Sequence, residues 1–100
     1  LQNHRQDSAA LLQLETSVRD AYELGIELLK RTQKLGCPVQ GELDSMRLNY
    51  GLHLANQDLF AEAAVVLEPV AAQHEPNASL PQDRVVADAY RLWRMCEQYK

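Results

Sequence analysis

The spacing of small and large side chains between residues 47 and 76 constrains the fold of this chain more than any other feature. Gly51 allows a second helix to approach the first closely, and Ala63 allows the same approach from the other side. Three bulky residues fall on the facing stripes of the two helices: Leu54, Phe60 and Leu67. Because residues three or four apart share one helical face, the segment predicts a helix–turn–helix hairpin over residues 42–74.

The same segment resembles the tetratricopeptide repeat, which places small, large and aromatic residues at fixed positions of two helices and a proline after them. The residues that match are Tyr50, Gly51, Leu54, Asp58, Phe60, Ala63, Leu67, Val70 and Pro76. Arg47 stands where the family has a tryptophan. The resemblance implies an all-α fold in which antiparallel helix hairpins stack as a fragment of a right-handed solenoid. Such folds build binding surfaces rather than reaction centres.

Further copies of the pattern can be placed on both sides of this segment. Moving it upstream until Ala63 falls on Gly25 gives a second set of matches. These are Asp20, Tyr22, Gly25, Leu29 and Thr32. Moving it downstream places either Leu92 or Trp93 under Leu54, and both registers remain open.

We expect one domain of about five helices over residues 1–100. The clearest interruption combines two glycines and a proline, at Gly36, Pro38 and Gly41. Pro69 predicts a bend or an early end of the second hairpin helix. Residues 75–82 contain two prolines and are expected to form a loop, after which Asp83 can cap a last helix over residues 83–99.

Residues 7–35 form either a first pair of helices or one long helix. Ser17, followed by Asp20, resembles a capping box and favours a second helix start at that point. No glycine or proline separates the two halves there, which is what a single helix would require. We favour the break.

Composition and motifs exclude several classes of function. The net charge of −4 argues against nucleic acid as a partner, and the apolar runs are too short to span a membrane. His4, His53 and His74 are scattered, and we expect His53 between helices and the other two in solvent. No nucleophile motif or phosphate-binding loop is present, so we expect no enzyme, no catalytic residue, no metal and no cofactor.

The two cysteines indicate in which cellular compartment the protein is expected. Cys37 and Cys96 are expected to be free thiols, as in reducing compartments, and we therefore expect a cytoplasmic protein. The chain opens at Leu1 rather than at a methionine, which suggests a processed or excised product.

The resemblance implies a binding site in the concave groove lined by the first helix of each pair. In the hairpin over residues 42–74 it assigns Ser45, Leu48, Asn49, Leu52, Ala55 and Asn56 to that side. In the last helix, one register assigns Arg84, Arg91 and Arg94 and favours an acidic partner, and the other assigns Tyr90 and Trp93 and favours an apolar anchor.

These observations predict a non-enzymatic scaffold, adaptor or chaperone-like module that binds a peptide or a helix of another protein. The alternative is a self-associating helical bundle, a structural or regulatory dimer. Its seam would consist of Tyr90, Trp93 and the stripe Leu11, Leu14 and Val18.

Overall fold

A computed structural model describes the backbone of residues 2–75 and 83–100 and the side chains of residues 9–75 and 83–100. This part of the chain is all-α and has four helices. They are α1 (Gln2–Lys34), α2 (Gln40–Ala55), α3 (Phe60–Ala71) and α4 (Arg84–Tyr99).

The helix α1 is continuous through Ser17, so the favoured break is wrong and the single long helix is right. The hydroxyl of Thr16 donates to the backbone carbonyl of Leu12 at 3.0 Å and is thus satisfied inside the helix. A capping box is a local signal, and here good helix formers continue on both sides of it. Four helices in the described residues therefore replace the expected five.

The end of α1 is set by Gly36, as the predicted interruption requires. Gly36 has a φ of 93°, and its N–H donates to the carbonyl of Gln33 at 3.0 Å. The N–H of Cys37 donates to the carbonyl of Thr32 at 3.3 Å. Together these bonds form the Schellman motif that closes many helices, in which glycine accepts the left-handed backbone without strain.

The helices α2 and α3 form the predicted hairpin, and they pack where the small residues allow it. A Cβ atom added at Gly51 would lie 2.5 Å from Cγ of Leu67, and Ala63 is fully buried. The turn between the helices uses Asp58 at a φ of 62°, a conformation that aspartate tolerates better than most residues. α3 continues through Pro69 and ends at Ala71.

The core lies between α2, α3 and α4. Its largest fully buried side chains are Leu43, Leu54, Leu67, Val70 and Cys96. Among the described side chains α1 contributes none that is fully buried, and only Tyr22 and Ile26 of this helix pack against the core cluster. α1 is therefore attached to a three-helix core along one side.

The start of α4 carries the predicted cap. The Asp83 carboxylate accepts a hydrogen bond from the N–H of Val85 at 2.8 Å, which satisfies one free donor of the first turn. Ala89 in the middle of α4 is fully buried. Both cysteines are free thiols; Cys37 is exposed and Cys96 is buried.

Candidate functional site

A depression of about 460 Å³ lies on the described part of the chain between α1, α2 and the start of α4. Two of its residues, Ser45 and Asn49, belong to the groove predicted from the sequence. The other side chains that line it are Tyr22, Glu42, Met46, Asp83 and Val85. Apolar surface beside an amide and a hydroxyl is the usual composition of a binding site.

The charge at this depression is acidic. Glu42 and Asp83 both line it, and no lysine or arginine is among its lining residues. The Asp83 carboxylate is held in place because it also accepts from the Val85 N–H. A cationic group would therefore be favoured here over an anionic one.

The wall of the depression on α1 is positioned by aromatic packing. The ring of Tyr22 stacks on Tyr50 with centroids 5.1 Å apart and an angle of 12° between the planes. Gly25 allows the close approach, because a Cβ atom there would lie 2.5 Å from Sδ of Met46. Tyr22 and Met46 thus reach the depression from neighbouring helices that fit closely.

A polar network ties the same helices together. The Tyr50 hydroxyl donates to Glu23 at 2.8 Å, and the Arg19 guanidinium donates to Glu62 of α3 at 2.7 Å. Burial, together with the hydrogen bond to Glu23, raises the pKa of Tyr50. A hydrogen bond with the neighbouring Tyr50 side chain raises the pKa of Arg19 above its ordinary value.

His53 lies between α1 and α2, as expected. Its ring is 5.9 Å from that of Tyr22, and its Nε2 is 3.1 Å from Nε2 of Gln57. The His53 side chain therefore packs at the contact between α1 and α2. The side chain of His4 lies outside the described residues.

A second cluster lies between α3 and α4, around a depression of about 400 Å³. The expectation that His74 is in solvent is wrong, because its ring stacks on Tyr90 at 3.9 Å. Trp93 is 6.1 Å from Tyr90, and the Arg94 guanidinium is 5.8 Å from the Tyr90 ring. His74 follows the end of α3 by three residues, and its ring packs on α4. Spacing within one helix does not reveal such a long-range contact.

Tyr90 and Trp93 therefore pack partly within their own chain. Nε1 of Trp93 and Nδ1 of His74 are buried, and neither has a hydrogen-bond partner among the described residues. The stripe that was predicted to join them in a dimer seam is on a different helix, where Leu11 and Leu14 are exposed and Val18 is half-buried.

The predicted arginines of α4, Arg84, Arg91 and Arg94, are exposed. Arg84 and Arg91 pair with Asp88 of the same helix, Arg84 at 3.9 Å. Arg91, Trp93 and Arg94 line a shallow hollow of about 640 Å³. Neither this hollow nor the depression beside His74 includes Ser45 or Asn49.

The remaining predicted residues of α2 are spread over its surface. Leu52 and Asn56 are exposed, whereas Leu48 is half-buried against the core. Ala55 is buried. Of the predicted groove residues, the structure brings Ser45 and Asn49 together with residues that the prediction missed, namely Tyr22, Met46 and Val85.

One buried carboxylate was not predicted from the sequence. Asp44 of α2 accepts hydrogen bonds from the amide groups of Gln40 at 2.7 Å and Gln73 at 3.1 Å. It is satisfied by neutral donors and joins the start of α2 to the end of α3. No sequence motif marks this contact.

Within residues 9–75 and 83–100, no group of three or more histidine, cysteine or acidic side chains is arranged to hold a metal ion. No helix of the described chain is both long enough and apolar enough to cross a bilayer.

Comparisons with family models, curated proteins and solved structures found no match for this chain. The tetratricopeptide resemblance therefore stays a prediction.

Proposed function

We propose that this chain is a non-enzymatic protein-binding module, a scaffold, adaptor or chaperone-like domain that holds a peptide or a helix of a partner protein. The observation that carries the proposal is the depression where Ser45 and Asn49 lie beside Met46 and Val85. An exposed amide can donate to and accept from a peptide backbone, while the apolar neighbours provide area to bury.

Helix packing supports a tetratricopeptide-like order for α1–α4. A glycine permits close approach at two successive contacts, Gly25 against Met46 and Gly51 against Leu67. The fully buried Ala89 corresponds to Gly51 in the register that places Leu92 under Leu54. We propose that the four helices are successive layers of a solenoid, with α2 and α4 as first helices of their pairs.

The acidic lining refines the kind of partner. Glu42 and Asp83 favour a lysine or arginine of the peptide next to an apolar side chain that contacts Met46. This replaces the acidic partner that the arginines of the last helix suggested, because those arginines lie elsewhere on α4. The free thiols of Cys37 and Cys96 fit the reducing cytoplasm as the place of action.

Selection from a displayed library of random peptides, followed by fluorescence anisotropy with the selected peptides, tests the proposal. Asn49→Arg adds bulk and positive charge to the depression, and we expect it to weaken binding at least about tenfold. Asn56→Arg is the matched control, since Asn56 is an exposed asparagine that does not line this depression.

We expect the selected peptides to be basic and their affinity to fall with added salt. Peptides that bind Asn49→Arg as tightly as the parent would refute this location of the site. Binding lost equally in Asn49→Arg and Asn56→Arg would extend the site along α2.

A further inference from the structure

The helix α1 carries a second apolar stripe on a different side from the residues that contact α2. Leu24 and Leu28 on this stripe and Leu35, directly after the last residue of the helix, are 61%, 51% and 84% exposed. Ser17, Ala21, Leu24 and Leu28 follow steps of four, three and four residues, and Leu35 lies seven residues after Leu28, with Arg31 at the position between them. This is the seven-residue pattern by which two helices pair. Exposed leucines at this spacing form a contiguous surface, and such surfaces mark interaction sites.

Charge is segregated along the polar edge of this stripe. Asp20 lies towards the N-terminal end and Lys34 at the C-terminal end, and neither has an ion pair within the described part of the chain. Between them Glu27 has Lys30 and Arg31 of its own helix at 3.9 Å each. The face is therefore acidic at one end and basic at the other.

We propose that two copies of this chain associate through these stripes, with their α1 helices antiparallel and a two-fold axis level with Ile26. Leu24 of each copy then packs against Leu28 of the other, because these positions are equally far from the axis. The same symmetry brings Asp20 of each copy to Lys34 of the other. The dimer then contains two ion pairs, formed by charges that are unpaired within the described part of one copy. A parallel pair would instead set like ends side by side.

The centre of the seam is compatible with this symmetry. Glu27 of one copy approaches Glu27 of the other near the axis, and the repulsion is offset by Lys30 and Arg31 on each helix. Tyr22, which lines the depression proposed as the peptide site, points to a different side of α1. Dimerisation and peptide binding can therefore succeed or fail independently.

The size of the seam predicts its strength. From Ser17 to Leu35 the stripe is about 27 Å long and one helix, about 10 Å, wide. This is smaller than the roughly 800 Å² that each partner contributes to a standard stable interface. We therefore expect a weak, reversible dimer whose affinity depends on salt.

Sedimentation equilibrium of the full chain, from about 1 to 300 µM, tests the proposal. The parent is expected to rise from its monomer mass of 11.3 kDa towards twice that value. Leu28→Glu is expected to stay monomeric throughout. Leu12→Glu is the matched control, because Leu12 is 66% exposed on the same helix but lies off the stripe, and it should dimerise like the parent. Circular dichroism confirms that each variant keeps its helix content.

Charge reversal tests the antiparallel arrangement. Asp20→Lys alone is expected to weaken dimerisation about tenfold, and adding Lys34→Asp should restore the affinity of the parent. A parent that is monomeric at every concentration overturns the proposal, as does a dimer that survives Leu28→Glu or is lost in Leu12→Glu. A double reversal that fails to restore affinity overturns the antiparallel geometry.

Discussion

The contact between Gly51 and Leu67 makes Gly51→Ala the most informative single change. In an open helix this substitution stabilises by about 0.5–1 kcal/mol, because alanine loses less conformational freedom on folding than glycine. Here the new Cβ atom would lie 2.5 Å from Cγ and Cδ2 of Leu67, which is fully buried and has little room to move. Overpacking of this kind costs about 1–3 kcal/mol. We expect a net loss of about 1–2 kcal/mol, or roughly 5–10 °C in Tm.

Two other glycines provide matched controls. Gly41→Ala meets no atom within 4 Å and should be neutral or stabilising by up to about 1 kcal/mol. Gly25→Ala meets the flexible end of Met46 rather than a branch point, so it should cost less than Gly51→Ala. Urea unfolding followed by the fluorescence of Trp93, the single tryptophan, measures all three.

A double-mutant cycle separates steric conflict from other effects. Leu67→Ala removes the atoms that the new Cβ would meet, at a cost of about 2–5 kcal/mol by itself. In that background Gly51→Ala should be neutral or stabilising, so the coupling has the opposite sign to the single effect. If Gly51→Ala stabilises the parent as much as Gly41→Ala does, the close packing of α2 on α3 is refuted.

Two further predictions concern titratable groups. Cys37 should react with a thiol reagent in the native protein, whereas Cys96 is fully buried, with a pKa raised by burial, and should react on the order of a thousandfold more slowly until urea unfolds the chain. The raised pKa of Tyr50 means that the folded state holds this proton where the unfolded state releases it. Its stabilising contribution is complete below about pH 10 and is lost as the pH rises further, so Tyr50→Phe should flatten the alkaline decline in unfolding free energy.

Clear outcomes would contradict these two predictions. Cys37→Ser isolates the signal of Cys96, and rapid labelling of that variant without denaturant would contradict its burial. Equal slopes of unfolding free energy against pH for the parent and Tyr50→Phe, measured from about pH 8 to pH 11, would show that Tyr50 does not carry the effect.

The parts of the fold that could be predicted are those that depend on local sequence signals. Gly51 and Ala63 predicted the hairpin because only small residues allow α2 and α3 to pack so closely. Asp83 predicted the cap at the start of α4, and Gly36 predicted the end of α1. The capping signal at Ser17 gave a wrong prediction because it is local, and α1 continues through it.

The candidate site was less predictable because it is assembled from three helices. The tetratricopeptide resemblance assigned Ser45 and Asn49 to the same side of α2. Tyr22 and Val85 reach the same depression from α1 and α4, and their positions depend on how those helices pack. The stacking of His74 on Tyr90 depends likewise on tertiary structure, which the spacing within one helix does not encode.

The absence of fully buried α1 side chains among those described has a consequence for how the molecule opens. We expect the amide protons of α1 to exchange with solvent when this helix detaches and unwinds, and those of α2, α3 and α4 to exchange when the core around Leu67 and Val70 opens. Local opening of α1 should therefore cost less free energy than opening of the core. A helix that detaches more easily than its neighbours can also change partners without dismantling the rest of the domain.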